Sequence, residues 1–157
     1  MSTIIGITEE NRKAVAFELS KLLADEFTLY TKTRNAHWNI EGKDFHSMHL
    51  FFESQYEQLD DIMDSVAERI RTLGHYAPAT LKSFLQLTHL TEKTHDKNDS
   101  LSFIKELLED HESIIEFIRG NIESFASKYR DYGTSDYITG LMEDHEKMAW
   151  MLRAHLV

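Results

Sequence analysis

From Val15 to His37, one face of the chain returns every three or four positions: Val15, Leu19, Leu22, Leu23, Glu26, Leu29, Tyr30, Thr33 and His37. That spacing fits the 3.6-residue turn of an α-helix and not the two-residue repeat of a strand. Similar runs follow in three later stretches, and few residues interrupt them, since 157 residues include one proline and six glycines. The pattern confines the chain to an all-α class of long helices around one core, expected as a single domain over residues 1–157. Arg12, Lys21, Asp25 and Lys32 lie off the first stripe and are expected elsewhere than the core.

Thr8 is expected to cap the first helix, with Glu9 and Glu10 at the positive end of its dipole. Asn39 to Lys43, containing Gly42, reads as a short turn. Asp44 then caps a second helix running to Leu73 with Gly74 as its stop, so that the two form a hairpin. From His75 to Asn98 the pattern breaks at Pro78, offers a short amphipathic piece in TLKSFLQL and turns polar. Asn98 or Asp99 caps a third helix with a seam of Leu101, Ile104, Leu108, His111, Ile115, Ile118, Ile122 and Phe125. Gly133 ends the next turn, and Ser135 with Asp136 opens a fourth helix whose inward positions include Tyr137, Leu141, Met148, Met151 and Leu152. A long connection between the second and third helices lets them run parallel, which is the ferritin-like four-helix topology, with a short helix in the crossover.

Absent cysteine excludes a disulfide framework and thiolate metal sites, leaving His, Asp and Glu as ligands, which suit iron, manganese or zinc. A formal charge of −10 opposes non-specific nucleic-acid binding and favours cations. No run approaches a membrane span and the first residues lack the order of a signal peptide, so a cytoplasmic protein is expected.

The stretch from His37 to Glu68 carries histidines and carboxylates in helical register. With His49 set at zero, Glu53, Asp60, Asp64 and Glu68 fall at roughly 40, 20, 60 and 100° around the second helix. This acidic face borders the apolar stripe of Phe45, Phe52, Tyr56, Leu59, Met63, Val66 and Ile70. In an antiparallel hairpin His37 and His49 share one end, whereas Asp64 and Glu68 lie about 22 to 28 Å beyond His49. One chain therefore cannot bring both groups to one metal, but two chains around a two-fold axis with antiparallel second helices can. The alternative is a wet acidic helix face with histidines of core and turn. EDHE, at Glu109 to Glu112 and again at Glu143 to Glu146, reads as two solvated faces, and His111 as a hydrogen-bonded core residue. Glu92 and His95 spell the Glu-x-x-His signature of ferritin sites but fall in the polar crossover, outside every predicted helix.

His37-Trp38-Asn39, Gly42, Phe45, His49, Glu53, Asp64 and Ala67-Glu68-Arg69, with the crossover helix and the HEKMAWMLRAHL ending, resemble the miniferritins, or Dps proteins. The resemblance covers nearly the whole chain. It implies that His37, Asp64 and Glu68 bind iron across a two-fold interface, and that His49 and Glu53, the latter where an aspartate is common, serve a looser second iron or its water. It further implies a hollow homododecamer that oxidises Fe2+ with hydrogen peroxide or dioxygen, as a ferroxidase, and deposits Fe3+ inside, protecting against oxidative damage. Zinc fits the same ligands as a substitute. Trp38 is a candidate trap for stray oxidising equivalents, Glu57 and Asp60 for nucleating mineral, and Asp131, Asp136 and Glu143 for an acidic pore. In the family, members that bind DNA commonly do so through basic tails, whereas Met1 to Thr8 holds no basic residue and Val157 directly follows the last helix. DNA compaction is thus the second expectation, and a structural or zinc-binding bundle the third.

Overall fold

The structure, a computed structural model, describes residues 3–93 and 96–157. His95, and with it the Glu92–His95 motif, lies outside the described residues. Helix α1 spans Glu9–Asn39, α2 Phe45–Thr72, the short α3 Leu81–Leu87, α4 Ser100–Glu123 and α5 Tyr132–Arg153. No helix among the described residues is long and apolar enough to cross a membrane.

Cross-helix contacts set the directions. Arg12 at the start of α1 meets the Leu73 carbonyl at the end of α2, and His37 meets His49 at the opposite end, so these helices are antiparallel. Lys32, late in α1, pairs with Glu106 and Asp110, early in α4, while Asn11 meets Tyr129 beyond its end. Thus α1 and α4 are also antiparallel, and α2 and α4 run parallel, as the long crossover requires. Gln55 reaches Met148, and Arg69 reaches Thr134, which closes the ring with α5 antiparallel to α2. This is the ferritin-like bundle.

The caps are local chemistry. Thr8 accepts from the Asn11 amide, Thr80 from that of Ser83 and Asp99 from that of Ser102. Gly42 and Gly74 take φ of +136° and +89°, the left-handed turns that a side chain resists, and they stop and restart the hairpin. Phe52, Phe103, Phe125, Leu19, Leu22 and Leu59 fill the interior. Each such side chain contributes roughly 1.5–3 kcal/mol of burial, and these side chains hold the site-bearing helices in register.

Several expectations fail for physical reasons. Arg12, Asp25 and Lys32 are buried. Lys32 is held 2.9 Å from Glu106, 2.5 Å from Asp110 and 2.7 Å from the Thr91 carbonyl. Asp25 accepts from the Thr88 hydroxyl and the His89 amide at 2.7 Å each, fastening the crossover to α1. Leu101 is exposed. Asp44 sits at the cap position of α2 with no side-chain cap bond. The last helix begins at Tyr132, not at Ser135, because Asp131 supplies the cap. The EDHE segments are not simply solvated: Asp110, His111 and His145 are buried among exposed glutamates.

Candidate metal centre

Where the α1–α2 hairpin turns, His37 and His49 stack with ring centroids 3.8 Å apart. Each is bonded to the other's backbone: His37 Nδ1 lies 2.8 Å from the His49 carbonyl, and His49 Nδ1 lies 2.7 Å from the His37 carbonyl. A carbonyl only accepts, so both Nδ1 atoms carry a proton, and in the neutral imidazole Nε2 then keeps the lone pair. Donation of the far N–H to a carbonyl is also what orients histidines that ligate metals.

Glu53 stands one turn beyond His49, half-buried, and the Tyr56 hydroxyl donates to its Oε1 at 3.3 Å. Burial, and then the charge of Glu53, raises the Tyr56 phenol above its ordinary value, so it remains a donor. The Tyr56 ring also meets His37 edge-on at 5.1 Å and lies under the Arg34 guanidinium at 4.3 Å. Arg34 extends over Trp38 at 5.1 Å and Tyr30 at 5.6 Å. Trp38 is largely exposed. Tyr56 counted in the sequence only as part of the apolar stripe, and the signal for Arg34 is its i,i+4 spacing from both Tyr30 and Trp38.

Asp64 and Glu68 are exposed on the same helix and are not brought to the histidines. Asp60, Asp61 and Asp64 edge a cleft of about 390 Å³ floored by Leu23, Phe27 and Phe84. Among the described residues of one chain, no three His, Asp or Glu side chains converge to hold a cation. Glu57 and Asp60 are exposed, as are Asp136 and Glu143. Asp131 is buried: its oxygens accept from the Thr134 amide at 2.9 Å and hydroxyl at 2.5 Å, and Arg69 approaches at 3.3 Å. Its carboxylate therefore caps α5 and is held there by Arg69.

A second polar cluster lies in the bundle core. His145 Nε2 is 2.7 Å from Glu26 Oε1, and His145 Nδ1 is 2.9 Å from His111 Nδ1, all three residues being fully buried. Glu26 accepts, so His145 donates through Nε2 and receives from His111 Nδ1–H. Among the described residues, Glu26 Oε2 and His111 Nε2 are left without a hydrogen-bond partner. Burial, and secondarily His145, holds the His111 imidazole well below its ordinary value. The recurrence of EDHE on two helices was the signal for this pair.

The ferritin family model, described as a ferritin-like domain, matches residues 18–157. The DNA protection during starvation protein of Helicobacter pylori is 37% identical over 141 residues, covering 89% of this chain and 97% of the relative. The chain belongs to the Dps family. An uncharacterized low temperature-induced protein of Nostoc is similar to this Dps chain at 40% identity over 152 residues, 97% of this chain and 85% of the relative. Among solved structures, the Dps protein of Vibrio cholerae O1 superposes with a TM-score of 0.92 at 32% identity, covering 100% of this chain and 98% of its own. That protein is described as a member of a broad superfamily of ferritin-like diiron-carboxylate proteins.

Proposed function

We propose that this Dps protein oxidises ferrous iron with hydrogen peroxide and stores the product inside a twelve-subunit shell. The observation that carries the reading is the His37–His49 pair. Two imidazoles are held in the tautomer that leaves Nε2 for a cation, yet among the described residues no third ligand of their own chain completes the set. The missing ligands have the right chemistry in Asp64 and Glu68, about 22 to 28 Å along the same helix. A two-fold partner with its α2 antiparallel supplies them, giving two equivalent centres per dimer. His37, Asp64 and Glu68 then hold the tighter iron, and His49 and Glu53 the looser one or its water. Zinc competes for the same nitrogen and oxygen donors.

Two adjacent irons each give one electron to one peroxide, whose O–O bond breaks to two waters on taking up two protons, so no hydroxyl radical is released. Oxygen and imidazole ligands suit the ferric product. Asp136 and Glu143, near the start of α5, are the proposed groups of an acidic entry pore, and Glu57 and Asp60 the proposed mineral face. Such chemistry belongs to a compartment where ferrous iron persists, the reducing cytoplasm. With a net charge of −10, the protein is expected to leave plasmid DNA unretarded at neutral pH and moderate salt.

Co-assembly tests the shared centre. One variant carries His37→Ala and His49→Ala, and another Asp64→Ala and Glu68→Ala; each alone is inactive. Random mixing makes about half the dimers mixed, and each mixed dimer has one intact centre, so roughly a quarter of the activity returns. Mixed cages, verified by mass spectrometry, that oxidise no more iron than either parent would sink the reading. The wild type should consume close to two ferrous ions per peroxide.

A further inference from the structure

The two halves of the proposed centre differ in charge. Asp64 and Glu68 bring two negative charges, with Asp60 and Asp61 beside Asp64. The histidine half brings the single charge of Glu53, with the Arg34 guanidinium close by. Among the described residues Arg34 makes no ion pair with a carboxylate. Its guanidinium lies 4.3 Å over the ring of Tyr56, whose hydroxyl is 3.3 Å from Glu53 Oε1. That separation is well inside a Debye length, so the positive charge is felt at the histidine half. Tyr56 also contacts His37, and so touches two of the candidate ligands with one ring.

Glu53 has one methylene more than an aspartate and one more torsion to fix when it ligates. The Tyr56 hydroxyl restrains that torsion from within the same helix, and the Arg34 stack restrains Tyr56. We propose that Tyr56 and Arg34 are positioning residues that set the weaker of two cation affinities, Tyr56 by tethering the Glu53 carboxylate and Arg34 by offsetting its charge. This inference rests on the shared centre proposed above. Its consequence is ordered loading: a divalent cation fills the carboxylate-rich position first and the Glu53 position second, at a higher concentration.

The two residues should act in opposite directions, which a merely structural role would not produce. Anaerobic titration of the assembled apo-protein with Co2+, followed by calorimetry and visible absorption, should show two steps in the wild type. Tyr56→Phe should weaken the second step by roughly tenfold and leave the first unchanged. Arg34→Met, which keeps an apolar stem over the aromatic rings, should tighten the second step, and added salt should shrink that gain. Both variants weakening both steps alike, or Arg34→Met weakening the second, would overturn the inference and leave the centre itself standing. A wild-type protein that takes up no cobalt at either step overturns the proposed function together with this inference.

Discussion

His37 with His49 and His111 with His145 are both pairs of imidazoles in contact between helices, yet they are wired oppositely. In the first pair each Nδ1–H is satisfied by the other residue's backbone carbonyl, so the side chains owe nothing to each other and both Nε2 atoms keep a lone pair for a ligand. In the second, the histidines bond each other side chain to side chain and end on Glu26, spending their polarity inside the core. The crossed backbone acceptors leave two ring nitrogens at the hairpin turn, whereas the chain ending on Glu26 leaves its one remaining ring nitrogen, His111 Nε2, enclosed in the core. Burial alone does not separate the pairs, for His37 is nearly as buried as His111.

Exchanging the properties of the two pairs would break this contrast. The largest effect is expected from His37→Ala, which should lower iron oxidation by more than about a hundredfold, beyond the usual cost of losing an outer-shell partner. In denaturant unfolding this variant should lose only about 0.5–1.5 kcal/mol, the cost of one bond at the hairpin turn. Glu26→Leu should do the reverse. It strands the buried His145 N–H and should cost about 1–3 kcal/mol in denaturant unfolding, with oxidation per folded cage unchanged. Replacing Glu26, His111 and His145 together by apolar residues of similar volume should cost less than that single change, because no polar group is then orphaned.

Acid should separate the pairs more gently. The folded protein holds His111 neutral well below the ordinary 6.5, so below that pH the unfolded chain binds its proton first. Stability from this residue is complete above pH 6.5 and declines as pH falls, by up to about 1.4 kcal/mol per unit until the folded value is reached. His111→Leu should flatten that slope in urea titrations between pH 5 and 6.5. The smallest effect concerns supply to the outer pair. Asp136→Asn should slow iron uptake modestly at low ionic strength, and salt should erase the difference in stopped-flow traces.

Helix boundaries were legible wherever a cap is local. Thr8, Thr80, Asp99 and Gly74 act within their own turn, and the elements they bound lie within a residue or two of expectation. The last helix starts earlier than expected because Gly133 reads as a turn but lies inside the first turn that Asp131 caps. Arg12, Asp25 and Lys32 looked like surface charges for a long-range reason, since what neutralises or satisfies them comes from Leu73, Thr88, Glu106 and Asp110. The distance between His49 and Asp64 could be read beforehand, because it depends only on the rise of one helix. Arg34 meets Tyr30 and Trp38 at the i,i+4 spacing of its own helix, but its contact with Tyr56 crosses to α2 and leaves no such pattern.

The α1–α2 hairpin is pinned at both ends, by the crossed histidine–carbonyl bonds at its turn and by Arg12 on the Leu73 carbonyl at its open end, 2.7 Å apart. A rod fastened twice cannot slip by a helical turn, so it behaves as a ruler. In the proposed two-fold assembly that ruler is laid against its own copy, pointing the other way. The spacing of the two centres is then graduated in backbone rise, and substitutions elsewhere on the rod can change its surface without changing its scale.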